Sequence, residues 1–296
     1  MDLRRDPLTG EPTVVVGSRQ GRPNLPSRDL PATDCPFCPG GLEAPDDYDV
    51  RSFVNRWPAM PDDRCELVLY TPVHDAQFWS LGRDGARRVI DLWAERTAEL
   101  GARDDVDYVL IFENRGPEVG ATIAHPHGQI YAYADIPPEP LRELVDGVLE
   151  PDAVDEALVV SSSGQWRAWV PDAARWPYEL RLAPTGTVGA LCDAECDRDG
   201  LALVLIDALA RLDQLFDEPM PYMLWIHQRP TDGEDWPRAR VHIHIAPANR
   251  GPGLQRFVAS AEVGGGVYFN PVDPVDAARA LRELPGASGV TTTTSS

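Results

Sequence analysis

The stretch GATIAHPHGQIYAY, residues 120–133, sets two imidazoles, His125 and His127, on either side of a proline. In an extended segment alternate residues share a face, so both rings aim the same way while Pro126 points away. A neutral imidazole that donates from one nitrogen to a carbonyl carries a lone pair on the other. That lone pair can hold a metal or attack phosphorus. Gly128 lets a ligand approach the backbone closely, and Gln129 can donate its amide to a phosphoryl oxygen.

A second set of chemical groups lies in TDCPFCPGG, where Cys35 and Cys38 form a C-x-x-C knuckle whose thiolates can grip one metal. Redox pairs of this spacing normally open a helix, whereas this one runs into Pro39-Gly40-Gly41. His74 and His125 are the candidates to close a tetrahedral Cys2His2 site, which would be structural and would suit zinc. His127 then stands beside a rigid anchor with its own ring free to act as a nucleophile. Its alternative role, as a further ligand, is less favoured because four other groups already complete the site.

The other histidines are His227 and the pair His242 and His244 in RVHIHIAP. Three imidazoles plus a carboxylate would suit iron or zinc. Glu113, Glu143 and Glu179 all qualify as that carboxylate, and hydrogen-bonded core histidines are the plain alternative.

These groups need elements to position them. CELVLYTPVHDAQFWSL from Cys65 and YELRLAPTGTVGALCD from Tyr178 both read as a strand ended by a proline. Each precedes a helix with one apolar stripe: Ala86, Val89, Ile90, Trp93, Thr97 and Leu100 in the first, Leu201, Val204, Leu205, Ala208, Leu212 and Leu215 in the second. A strand follows each helix, YVLIFENRG and YMLWIHQRP, and then an alternating histidine pair, so that His125/His127 match His242/His244. The order predicts a duplicated unit of α+β class, with helices packed on a mixed or antiparallel sheet. The expected halves are residues 1–150, with the knuckle and nucleophile, and 151–285, followed by a flexible tail over 286–296. The acidic, proline-containing segment 137–157 is expected to begin as a helix and to link the halves.

A formal charge of −20 disfavours nucleic acid and anionic membranes as partners. All 27 basic residues are arginine, which excludes Schiff-base and P-loop lysine chemistry. No apolar leader or membrane-length apolar run is present, and five cysteines, an odd number, fit a reduced compartment, so the cytoplasm is the expected location.

Taken together, FENRG, HPHGQ, WPYEL and HIH resemble the galactose-1-phosphate uridylyltransferase family, a two-copy branch of the histidine-triad superfamily. The resemblance runs from DPLTGEPTVVVGSRQGRP to DAARALREL, nearly the whole chain. It implies that His127 is the nucleophile and that His125 holds zinc with Cys35, Cys38 and His74. It also implies a second metal, iron or zinc, on Glu143, His227, His242 and His244. Phosphate and nucleotide contacts map onto Arg19, Arg22, Asn55, Asn114, Thr122 and Gln129, and further substrate contacts onto Arg256 and Glu262. The implied reaction exchanges UMP between UDP-glucose and galactose 1-phosphate through a uridylyl-histidine, in a homodimer. Two departures bear on the substrate: Arg56-Trp57 follows Asn55 where an acidic residue and phenylalanine are usual, and AEVGGGVYFNPVDP lacks the usual sugar-binding glutamine. A related nucleotidyltransferase or ADP-sugar phosphorylase is the alternative chemistry. An inactive, metal-stabilised nucleotide-binding protein is the alternative class, and the intact His127 and Gln129 argue against it.

Overall fold

A computed structural model describes residues 2–21, 31–287 and 291–292. Arg22 and most of the expected tail lie outside them. Strands β1 (Asp2–Arg5) and β2 (Pro12–Val15) form a separate hairpin. The first half then contributes β3 (Arg51–Val54), β4 (Cys65–Leu69), α1 (Gly82–Gly101), β5 (Tyr108–Arg115) and β6 (His127–Tyr133). Helix α2 (Pro138–Asp146) starts the linking segment, with prolines in its first turn where no amide donor is needed. The second half supplies β7 (Val159–Ser163), β8 (Trp166–Trp169), β9 (Leu180–Pro184), α3 (Arg198–Gln214), β10 (Tyr222–His227) and β11 (His242–Pro247). A small ribbon, β12 (Asn249–Gly251) and β13 (Leu254–Gln255), leads to α4 (Ser260–Gly265), α5 (Pro274–Glu283) and β14 (Thr291–Thr292).

Ten of these strands make one sheet in the order β14-β7-β8-β9-β11-β10-β5-β6-β4-β3. Every ladder described is antiparallel. The halves meet at β5 and β10, where Phe112 pairs with Trp225 and Ile111 with Ile226. Both apolar helix stripes face the sheet: Ala86, Val89, Ile90 and Trp93 of α1 and Leu201, Val204, Leu205 and Ala208 of α3 are buried. They join Val109, Ile111, Ile130, Leu224, Ile226, Ile243 and Ile245 in one core that spans both halves. Helix α3 is buried on more than its stripe because α1, the turn at Phe78–Leu81 and strands β7 and β8 pack around it, and the end of α5 meets Arg211. That surrounding explains how Asp207 and Arg211 come to be fully buried as an ion pair. Arg211 also donates to the Leu281 and Leu284 carbonyls at 2.8 Å, satisfying the end of α5.

Within the first half Phe112 pairs with Gln129, and within the second Trp225 pairs with His244. His127 and His242 are each the first residue of their strand, and His125 lies just before β6. No helix among the described residues is long and apolar enough to cross a membrane.

Candidate active site and metal centres

Cys35 and Cys38 sit in a turn-rich segment that packs Phe37, Ala44, Leu67 and Leu69 into a small second core. The turn brings both thiols to His74, which follows β4, and to His125, which precedes β6. The four candidate ligand atoms lie within 4.8 Å of one another. A tetrahedral zinc site, with Zn–S about 2.3 Å and Zn–N about 2.0 Å, leaves about 3.5 Å between sulfur and nitrogen. The distances are 3.8 Å from Cys35 Sγ to His125 Nδ1, 3.6 Å from Cys38 Sγ to the same atom, and 3.5 Å from Cys38 Sγ to His74 Nδ1. Burial and the neighbouring Cys35 push the Cys38 thiol up to about 11, so a cation is what would favour its thiolate. Burial also lowers His125 to about 4, which leaves it neutral and fit to ligate. Its Nε2 lies 2.7 Å from the Thr71 carbonyl, so that nitrogen carries the proton and Nδ1 the lone pair facing the sulfurs. Tyr48, which motif reading misses, braces the same ring at 3.0 Å and donates to the Phe37 and Thr71 carbonyls.

His127 follows two residues on, half-buried, with Phe37 edge-on at 5.1 Å. Its Nδ1 lies 2.7 Å from the backbone carbonyl of His125. A carbonyl only accepts, so Nδ1 bears the proton and Nε2 the lone pair. The carbonyl that fixes the candidate nucleophile's tautomer thus belongs to a candidate metal ligand. Gln129 shares the strand face of His127, and Asn114 lies on that face one alternate position beyond Phe112.

Gly128 is also required by packing. A Cβ there would stand 2.1 Å from the Tyr70 hydroxyl and 3.2 Å from the Phe112 carbonyl, on the side of the strand away from His127. Gly128→Ala is therefore expected to cost about 1–3 kcal/mol of stability through overpacking. In a Tyr70→Phe background most of that loss should disappear, as read by denaturant unfolding of the four variants of the cycle. Equal losses in both backgrounds would refute the clash.

The remaining expected contacts divide. Asn55 is buried at the end of β3, where its Oδ1 accepts from the Trp57 amide at 2.8 Å. Its own amide reaches the carbonyl of Cys65, whose thiol is within electrostatic reach of the half-buried Arg19. Thr122 is half-buried in the loop before His125. Arg256 and Glu262 lie elsewhere and bind each other at 2.5 Å. Arg256 stacks 4.6 Å over Trp176, while Glu262 accepts from the Ala259 and Phe269 amides. Asn270, in the segment that lacks the usual glutamine, gives its amide to the Ala174 and Trp176 carbonyls.

A second cluster gathers Glu143 from α2 with His227, His242 and His244, again within 4.8 Å. The other two carboxylates are engaged elsewhere: Glu113 accepts from the Tyr222 hydroxyl, and Glu179 from the Arg175 and Trp176 amides. Glu143 Oε2 is 2.6 Å from His227 Nδ1 and 3.1 Å from His242 Nε2, and Oε1 is 3.5 Å from His244 Nε2. His242 Nδ1 faces the Arg240 carbonyl at 2.8 Å, so in the neutral ring Nε2 and the carboxylate oxygen are two acceptors face to face. His244 Nε2 is buried without a hydrogen-bond partner, and burial holds that ring neutral. One cation would relieve both mismatches, so the donor set fits a metal.

The family model of the galactose-1-phosphate uridyl transferase N-terminal domain matches residues 55–137, and that of the C-terminal domain matches 142–253. A galactose-1-phosphate uridylyltransferase of Thermotoga maritima is 35% identical, over 96% of this chain and 98% of its own. One from Streptomyces lividans is 37% identical, over 96% and 87% respectively. A solved structure of a uridylyltransferase superposes with a TM-score of 0.82 at 26% identity, covering 95% of this chain and 98% of that one. With matches over both halves and nearly the full length, this chain belongs to the galactose-1-phosphate uridylyltransferase family.

Proposed function

We propose that the protein exchanges a uridylyl group between UDP-glucose and galactose 1-phosphate, with His127 as the covalent carrier. The observation that supports the carrier is the 2.7 Å contact of His127 Nδ1 with the His125 carbonyl, which leaves the Nε2 lone pair for attack. Nε2 bonds to the α-phosphorus of UDP-glucose while the bond to the bridging oxygen breaks, and glucose 1-phosphate leaves with that electron pair. A phosphate oxygen of galactose 1-phosphate then attacks the same phosphorus, the N–P bond breaks, and UDP-galactose forms. Glucose 1-phosphate leaves the first step as a stable anion and the neutral His127 imidazole leaves the second, so neither step needs strong acid catalysis, and positioning and charge stabilisation carry the catalysis. Gln129, Asn55, Asn114, Thr122, Arg19 and Arg22 are assigned to the nucleotide and its phosphates, and Arg256 and Glu262 to the sugar side.

Zinc is assigned to Cys35, Cys38, His74 and His125, and iron or zinc to Glu143, His227, His242 and His244. When bound, both metals cross-link distant segments. The working unit is a homodimer in the cytoplasm. The segment after β12 supports the dimer, because it exposes four large apolar side chains, Phe257, Val263, Val267 and Phe269.

The acceptor is tested by charging the enzyme with UDP-glucose, removing free substrate, and offering each acceptor separately. Glucose 1-phosphate and galactose 1-phosphate are both expected to discharge the intermediate, since each must occupy the site in turn. Discharge by inorganic phosphate but not by galactose 1-phosphate would replace this reading with a phosphorylase.

A further inference from the structure

Beside the second histidine cluster a cleft is lined by Arg181, Arg238 and Arg240 together with Tyr108, His227 and His242. Glu143 is the one acidic residue of its lining, and it already faces three imidazoles. Many arginines of this acidic chain meet carboxylates: Arg96 pairs with Glu66, Arg115 with Asp213, and Arg229 with Asp193. Among the described residues the cleft arginines form no ion pair, although Glu179 lies within electrostatic reach of Arg181. Arg181 lies across the ladder from His244, and its Nε is buried without a hydrogen-bond partner. Arg240 gives one Nη1 contact to the Gly186 carbonyl at 2.8 Å, and Arg238 one Nη2 contact to the Gly147 carbonyl at 2.5 Å. A guanidinium has five N–H donors, so most of the donor capacity around this cleft has no described partner.

We infer that this cleft binds a tetrahedral oxyanion, a phosphate or phosphomonoester dianion, held by Arg181, Arg238 and Arg240. Three arginines lining one cleft, Arg181 from β9 and Arg238 and Arg240 from the segment before β11, suit an acceptor with oxygens in several directions, which a planar carboxylate offers less well. A buried, unpaired N–H is costly until an acceptor arrives, which favours binding at the Arg181 Nε. His242 also lines the cleft. Its Nε2 is turned to Glu143 at 3.1 Å, so this ring can stand beside an anion without attacking it. A metal on Glu143 and the three imidazoles would add positive charge and strengthen the site.

The test uses the full chain with its metals as isolated, saturated with UDP so that the His127 site is filled. Equilibrium dialysis is run with radiolabelled inorganic phosphate and, separately, with radiolabelled glucose 1-phosphate. One equivalent of oxyanion per chain is expected, weakened about tenfold or more by Arg181→Gln and by Arg240→Gln, the loss of one charge-assisted contact each. Equal affinity for the two probes identifies the free anion as the ligand, and tighter glucose 1-phosphate identifies a phosphomonoester. A readout that needs no variant is a wild-type crystal soaked in tungstate, expected to show an anomalous peak within hydrogen-bond reach of Arg181 and Arg240. No anion bound to the UDP-saturated protein, undiminished binding in both variants, or no tungstate in the cleft would each overturn the inference.

Discussion

His127→Gly is expected to abolish uridylyl transfer, by on the order of 10⁴-fold or more in kcat, because removing a covalent nucleophile costs the whole two-step route. The fold should survive. His127 is half-buried at the first position of β6, and the His125 carbonyl that its Nδ1 meets can be reached by water once the ring is gone. Glycine in a strand adds a modest backbone penalty of roughly 1 kcal/mol. Metal content should be unchanged, since His125, Cys35, Cys38 and His74 all remain. The decisive readout is label from α-phosphate-labelled UDP-glucose recovered on the protein as an acid-labile adduct. Wild type should carry it and the variant should not. Full labelling of the variant would remove His127 from the role.

Much of this site was legible in the sequence, and the reasons differ by residue. The helix stripes could be read because burial of one face leaves a 3.6-residue signature, and Ala86, Val89, Ile90 and Trp93 are buried as their spacing implies. The C-x-x-C and the concentration of histidines marked both clusters because few other roles use those residues together. What spacing could not decide was the carboxylate. Glu143 reaches His227 from a helix far away in the chain, and only the docking of α2 distinguishes it from Glu113 and Glu179. Gly128 shows the same limit. A glycine beside a nucleophile invites a ligand-based explanation, and spacing does not reveal the packing one, the hydroxyl of Tyr70, which follows β4. Arg181 left no local trace at all, because an arginine in a strand reads as surface charge until its neighbours across the ladder are known.

Cys35→Ser should remove one equivalent of metal and lower the thermal midpoint together. The reason lies in how little else holds this corner. The core around the knuckle contains six buried residues, two of them the cysteines themselves, and the described residues before β3 include no α-helix. A metal there ties three distant stretches, at Cys35 and Cys38, at His74 and at His125, so its binding free energy contributes directly to folding. A loss on the order of 3 kcal/mol is expected, large for one atom exchanged in a thiol. Turnover should fall as well, with kcat affected more than KM. Once the His125 ring loosens, its carbonyl no longer holds the proton on His127 Nδ1, and the lone pair is no longer fixed on Nε2. The comparison is Cys192→Ser, an exposed cysteine outside both clusters, which should change neither metal content nor rate. Metal analysis, thermal unfolding and steady-state kinetics on the two variants separate the cases. A Cys35→Ser protein with full metal content, or one that loses its metal and keeps wild-type stability and kcat, would show that the cluster neither folds this corner nor orients His127.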